Sequence, residues 1–271
     1  LLNGEPVRLG GANRSRGHAQ WGGLEPRELA EQDLSMLKQA HLEFARLQHY
    51  PLAETLMDWA DEHGLLIIVE PGNWQFSVEQ LASPKLRALW QQQMQSMMEN
   101  SWDRPSVIAW SVGNEYVSWS PEGVAWTKDM AAWVRSIDAT RPVTFAALGR
   151  EIGLKDVPKE ERSLSYVDFL CFNIYSSPKA VGGLDRVHAQ WPDKPIMISE
   201  FGQRADQVKD EDARIQHFRG TMEEVRRRPY ICGLSFWTFN DYLSRFPDTT
   251  RGGLLTHGSP ANASGILYNF K

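Results

Sequence analysis

The residues best suited to chemistry are two glutamates that end apolar runs. Val107 to Gly113 is a stretch of strand formers that stops at Asn114-Glu115-Tyr116, and Pro195 to Ser199 repeats the design, running into Glu200-Phe201-Gly202. A single Glu at a strand end could simply begin a loop. Two of them, in a chain that alternates strands with helices, is what a barrel enzyme with paired carboxylates requires. The chemistry such a pair suits is glycoside hydrolysis: one carboxyl protonates the leaving oxygen, and the other attacks the sugar carbon or activates water. Two carboxylates in mutual range also push their pKa values apart, so that one stays protonated near neutral pH while the other is ionised.

Further polar residues stand where apolar runs end: Asn13, Arg46, His49, Glu70, Asn173, Tyr175 and Trp237. Arg46 is the cation that could hold a nucleophilic carboxylate ionised; its bland alternative is a rim ion pair. Of the eleven tryptophans, Trp59, Trp90, Trp126 and Trp133 lie in helical patterns and read as packing. Trp21, Trp74, Trp119 and Trp237 follow or end strands, where an indole face suits the C–H face of a sugar or anchors a loop. The chain has no His-Glu-x-x-His, no Cys-x-x-Cys, no Gly-x-Ser-x-Gly and no Gly-rich phosphate loop. His18, His41, His49 and His63 lack a ligand spacing. Neither a metal nor a cofactor is expected.

The elements that must position these residues follow from periodicity. Apolar, nearly non-alternating strands are predicted at Val7–Ala12, Phe44–Gln48, Leu65–Val69, Val107 onward, Pro142–Ala147, Phe169–Asn173, Pro195–Glu200 and Gly233–Phe239. Helical stripes lie between them: Ala30, Leu34, Leu37 and His41; Leu56, Trp59 and Ala60, stopped by Gly64; Leu86, Leu89, Trp90 and Met97 after the Ser83-Pro84 start signal. Another helix opens at Ser120-Pro121, and a loose one holds His188 and Trp191. Ile215, Phe218, Met222 and Val225 line the next. The charged segment Arg150 to Arg162 is a weaker helix, and residues 259–271 could supply an eighth. Strand–helix alternation repeated eight times predicts an α/β fold, a (β/α)8 TIM barrel formed by residues 1–271 as one domain.

Composition narrows the partners. The net charge is −5, and the one basic cluster, Arg226-Arg227-Arg228, falls at a helix end where cations suit the dipole, so no nucleic-acid partner is expected. No apolar run approaches membrane-spanning length, which predicts a soluble chain whose compartment the residues do not indicate. Cys171 and Cys232 sit in strand-like runs and are expected as buried free thiols. Asn3-Gly4 signals a two-residue hairpin turn with almost nothing before it to pair, so the chain is expected to be excised from a longer one. An exposed apolar patch is expected where upstream domains docked or where a second copy covers it in a homo-oligomer.

With these residues in hand, the chain resembles the glycoside hydrolase family 2 catalytic domain, the group of β-galactosidases, β-glucuronidases and β-mannosidases. The likeness is carried by Leu2-Asn3-Gly4-Glu5-Pro6 through Gly11-Ala12-Asn13-Arg14, by Arg46-Leu47-Gln48-His49-Tyr50-Pro51, by Asp58 to Leu66, by Ser111 to Glu115, by Asn173-Ile174-Tyr175, by Ile198 to Gly202, by Trp237 to Asp241 and by Gly253 to Thr256. The resemblance implies Glu115 as acid/base, Glu200 as nucleophile, Tyr175 and Arg46 as hydrogen-bonding supports of the nucleophile, and Asn114 as holder of the sugar 2-hydroxyl. His49, Asn173 and Trp237 join them as substrate-site residues. It further implies a retaining exo-β-glycosidase acting on a carbohydrate substrate, carboxyl groups about 5 to 5.5 Å apart, and β-sandwich domains upstream. An endo-acting polysaccharidase and a non-catalytic glycan-binding barrel are the rivals. Where the resembling glucuronidases carry Asn-x-Lys, this chain has Thr250-Arg251-Gly252. That favours a neutral hexose, β-galactosidase-like, over a uronide.

Overall fold

The computed structural model describes residues 2–15, 24–203 and 209–240. Eight strands close into a barrel in sequence order: β1 (Leu9–Arg14), β2 (Phe44–Leu47), β3 (Leu66–Val69), β4 (Val107–Asn114), β5 (Val143–Leu148), β6 (Leu170–Asn173), β7 (Ile196–Phe201) and β8 (Ile231–Phe236). Every neighbouring pair is parallel, and closure runs from Leu9 opposite Gly233 to Ala12 opposite Phe236. The (β/α)8 architecture expected from the strand pattern is therefore the fold. Helices α1 (Arg27–Gln39), α2 (Glu54–His63), α3 (Val78–Ala82), α4 (Pro84–Glu99), α5 (Pro121–Ile137), α6 (Leu184–Gln190) and α7 (Glu211–Arg226) surround it. None of the described helices is long and apolar enough to cross a membrane.

Two apolar layers hold this arrangement. One cluster comes almost wholly from strands, including Phe44, Ile68, Ala109, Cys171 and Met197, and fills the barrel interior. The larger cluster joins strand residues such as Ile67, Trp110 and Ile198 to helix residues such as Leu34, Met94, Trp126 and Val134. Each such side chain taken fully out of water contributes about 1.5–3 kcal/mol. That is ample, summed over a core of this size, to hold polar residues rigidly at one rim. Cys171 is buried and Cys232 half-buried, and both are free.

Local signals account for several helix ends. Ser83 accepts from Leu86 N–H ahead of Pro84, Ser120 accepts from Gly123 N–H ahead of Pro121, and Gly64 ends α2 at φ 68°. The Asn3-Gly4 turn forms, with Leu2 and Glu5 exchanging backbone hydrogen bonds of 2.8 and 3.0 Å. Several expectations need correction. β1 and β8 are each displaced by two residues at their start, because their bounds are set by pairing with each other across the closure and not by local pattern. Leu89 is half exposed: the buried face of α4 is Trp90, Met94 and Met97, and a residue adjacent to Trp90 is turned about 100° away from it. His41 lies beyond α1 at φ 58°. Ile215 and Phe218 are exposed by 39% and 40%, so α7 buries chiefly Thr221 and Val225. The segment from Arg150 to Arg162 is no α-helix; it holds 3-10 turns at Gly149–Gly153 and Lys159–Glu161, separated by Pro158, whose ring cannot continue a helix. The short α3, started by a Ser77/Gln80 capping box, was not expected. Residues 259–271 lie outside the described residues.

Candidate active site

All eight sequence-derived site residues come to the C-terminal rim of the barrel. Arg46, one residue before the end of β2 and 2% exposed, binds two carboxylates. Its Nη1 donates to Glu200 Oε1 at 2.5 Å, and its Nη2 donates to Glu70 at 2.9 and 3.0 Å and to Asn114 Oδ1 at 2.7 Å. The rim ion pair is thus not what Arg46 forms; it lies at the buried centre of the cluster. Glu200, on β7 and 3% exposed, also accepts from the Tyr175 hydroxyl.

Glu115 is held differently. Among the described residues its carboxylate accepts only from neutral amides, Asn173 Nδ2 at 2.8 Å and Gln75 Nε2 at 3.0 Å, and it is half-buried. The backbone around it departs from a regular strand. The β4–β5 ladder slips between Ser111 and Asn114, Gly113 adopts φ 142°, and Glu115 itself sits at φ 52°. A Cβ on Gly113 would come within 2.1 Å of Asn73 Nδ2, which donates to the Val112 carbonyl, so glycine is required there. The left-handed backbone of Glu115 is a strained conformation of the kind that clusters at functional sites.

Amides connect the two carboxylates. Asn173 Nδ2 also donates to Asn114 Oδ1 at 3.1 Å, and Ser199 fixes Asn173 by donating to its Oδ1 at 2.7 Å. Asn114 Oδ1 is therefore satisfied twice, whereas its buried Nδ2 has no partner among the described residues. An unpaired buried donor at this point is a place for a ligand acceptor. Asn13 plays a structural part, with Nδ2 donating to the Ser199 and Phe236 carbonyls and to Ser235 Oγ. His49 lies parallel to Trp74 and to Trp237, at centroid distances of 6.4 and 6.1 Å, with Nδ1 at 2.5 Å from Glu70 Oε1.

The electrostatics divide Arg46 unequally. Burial alone would lift the Glu70 carboxyl, but the Arg46 charge, His49 and the Ser111 hydroxyl override it and bring its pKa down to about 2. For Glu200, burial dominates and Glu115 adds to it, so that the pKa lies above the ordinary carboxylate value although Arg46, His49 and Tyr175 pull against the rise. Arg46 meanwhile is raised: burial lowers it, and Glu70 followed by Glu200 more than restores it. The opposite senses seen from the two partners of the Arg46–Glu200 contact have one reason. Glu70 takes the larger share of the guanidinium, and Glu200 has less of the same cation while facing a second carboxylate.

The strand pattern places Glu70 on this rim without giving it a role, and nothing in the sequence points to Gln75. Glu70 reads like any strand-end acid, and only the fold shows that it shares Arg46. Gln75 lies in a polar loop, at φ 53°, and is carried to Glu115 by its N–H donating to the Asn114 carbonyl at 2.8 Å.

A family model described as glycosyl hydrolases family 2, TIM barrel domain, matches residues 1–218. Human β-glucuronidase is 26% identical over 265 residues, covering 90% of this chain and 40% of the human protein. Among solved structures, the family 2 β-galacturonidase of Eisenbergiella tayi bound to galacturonate is 25% identical with a TM-score of 0.77, covering 88% of this chain and 45% of that one. The β-glucuronidase of Ruminococcus gnavus in complex with D-glucuronic acid shares the fold at a TM-score of 0.83 and 23% identity, covering 98% and 47%. The chain spans about two-fifths of the length of the curated relatives it matches.

Proposed function

The chain belongs to glycosyl hydrolase family 2, and from that premise we propose that it cleaves a terminal β-linked uronide with retention, through a covalent glycosyl-enzyme. The observation that carries this reading is the unequal pair of carboxylates: Glu200 buried on Arg46 and Tyr175, Glu115 half-buried on two neutral amides. A nucleophile has to be ionised and fixed, and a cation with a phenol donor supports both. An acid/base has to gain a proton, give it to the leaving oxygen and then take one from water, so contact with solvent and neutral partners suits it.

In the first step Glu200 attacks the anomeric carbon while Glu115 protonates the departing oxygen. In the second, Glu115 removes a proton from the water that releases the sugar. Burial of Glu200 favours the first step, since a carboxylate poorly compensated by its surroundings gains by bonding to carbon. Asn114 Nδ2 meets the sugar 2-hydroxyl, and Trp74, Trp237 and His49 form the wall against which the ring lies.

The expectation of a neutral hexose gives way here. It rested on Thr250-Arg251-Gly252, which lies outside the described residues. Relatives matched over most of this chain include the human and rat β-glucuronidases, and a β-galacturonidase stands among the similar structures. Those relatives support a substrate carboxylate, which inside a pocket has to be met by donors because burying it unpaired is costly. The test is kcat/KM on aryl β-D-glucuronide, galacturonide, galactoside, glucoside and mannoside under one set of conditions. The highest value is expected for a uronide; a galactoside maximum overturns the sugar assignment, and no cleavage of any overturns the function.

A further inference from the structure

Two loops meet on the catalytic face beside Glu115 and stack an arginine on a tryptophan. The chain after Glu115 stays over β5, with Glu115 N–H donating to the Ala146 carbonyl at 2.9 Å. Three residues on, Ser118 Oγ donates at 2.6 Å to the carboxyl of Glu151, which is fully buried in the turn after β5. That staple brings the next residue of one loop, Trp119, under the preceding residue of the other, Arg150, whose Cζ lies 4.9 Å from the indole centroid. Leu148, two residues before Arg150, pairs in the ladder with Asn173, whose amide holds Glu115. The stack therefore stands on the acid/base side of the site, where a leaving group departs. Arg150 is exposed, and it has no hydrogen bond or ion pair among the described residues.

An arginine on a rigid aromatic floor has its plane fixed and its N–H edge free, which is the arrangement that binds a planar or tetrahedral oxyanion through two donors. A guanidinium serving only to shield Trp119 would not need the buried staple beneath it. We propose that Trp119 and Arg150 form the leaving-group subsite, and that it selects aglycones bearing an oxyanion, a carboxylate or a sulfate, such as an acidic sugar residue. This rests on the reading of Glu115 as acid/base of a β-glycosidase.

The test compares wild type with Arg150→Ala on three glycosides of whichever sugar the enzyme cleaves: 4-carboxyphenyl, 4-(sulfooxy)phenyl and 4-(methoxycarbonyl)phenyl. Taking the wild-type to variant ratio of kcat/KM for each substrate cancels the intrinsic reactivity of the phenol. The ratio for one or both anions is expected to exceed that for the ester by about fivefold, the scale of one exposed but well-held ion pair, and the two anionic arms tell which oxyanion is preferred. Trp119→Ala, which frees the guanidinium, is expected to lose most of the same discrimination, and added salt is expected to shrink it. Equal ratios for the anions and the ester overturn the proposal. A second readout needs no turnover: the Trp119 indole N–H resonance, assigned by its loss in Trp119→Phe, is titrated with 4-hydroxybenzoate and with its methyl ester. A shift specific to the anion and absent in Arg150→Ala is expected, and no such shift refutes the subsite even if every glycoside proves inert and the functional reading itself has failed.

Discussion

Replacing Glu70 by Gln tests how Arg46 is shared. Glu70 is 1% exposed, and its carboxyl is held down from an ordinary value of 4.5 to about 2. At about 1.4 kcal/mol per tenfold change in proton affinity, that depression corresponds to about 3 kcal/mol of folding stability, with no solvent to screen it. Because the native pKa is the lower one, the contribution is fully present above about pH 4.5 and is lost as pH falls through about 2. The glutamine amide in Glu70→Gln would also set an N–H against Arg46 or His49, both donors. Urea unfolding at pH 7 should therefore show Glu70→Gln less stable by about 3 kcal/mol, with the difference about halved by pH 3. Activity should respond in the opposite sense. With Glu70 neutral, Arg46 leans on Glu200, whose raised pKa then falls, so the acid limb of kcat/KM moves to lower pH. A stability difference equal at pH 7 and pH 3, or an acid limb that stays in place, refutes this account of the cluster.

The roles of the two glutamates separate in a leaving-group series: Glu200→Ala should abolish turnover of every substrate, whereas Glu115→Ala should lose about 10²- to 10⁴-fold on poor leaving groups and far less on acidic phenols. Identical responses of the two variants would remove the assignment. Asn114→Ala should cost about tenfold more in kcat/KM on an ordinary glycoside than on its 2-deoxy analogue, the scale of one hydrogen bond from the unpaired Nδ2; equal losses on both would mean that Asn114 only braces Arg46 and Asn173.

What the sequence made legible, and what it hid, follows from the range of the interactions concerned. Strand ends that read as polar, from Asn13 to Trp237, do face one another, because in a parallel barrel every strand delivers its C-terminal residue to the same rim and a one-dimensional pattern suffices to find them. Helix starts at Ser83-Pro84 and Ser120-Pro121 were equally local. The start of β8 was not local, since it is fixed by pairing with β1, more than two hundred residues away in the chain. The exposure of Leu89, Ile215 and Phe218 depends likewise on which neighbour covers a helix face, and hydrophobicity at helical spacing does not say. The hardest thing to read was the division of charge. Glu70, Glu115 and Glu200 are three similar strand-end acids in the sequence, yet one is an anchored anion, one a half-solvated carboxyl on amides and one a buried carboxylate that its cation only partly compensates. The differences come from a single arginine whose two terminal nitrogens point in different directions, Nη2 toward Glu70 and Asn114, Nη1 toward Glu200. Had Arg46 served Glu200 alone, that carboxylate would be more stable and less inclined to bond to carbon. Giving the larger share of the cation to Glu70 keeps Arg46 charged and in place while leaving Glu200 poised above its ordinary pKa, and no spacing of residues along the chain records that choice.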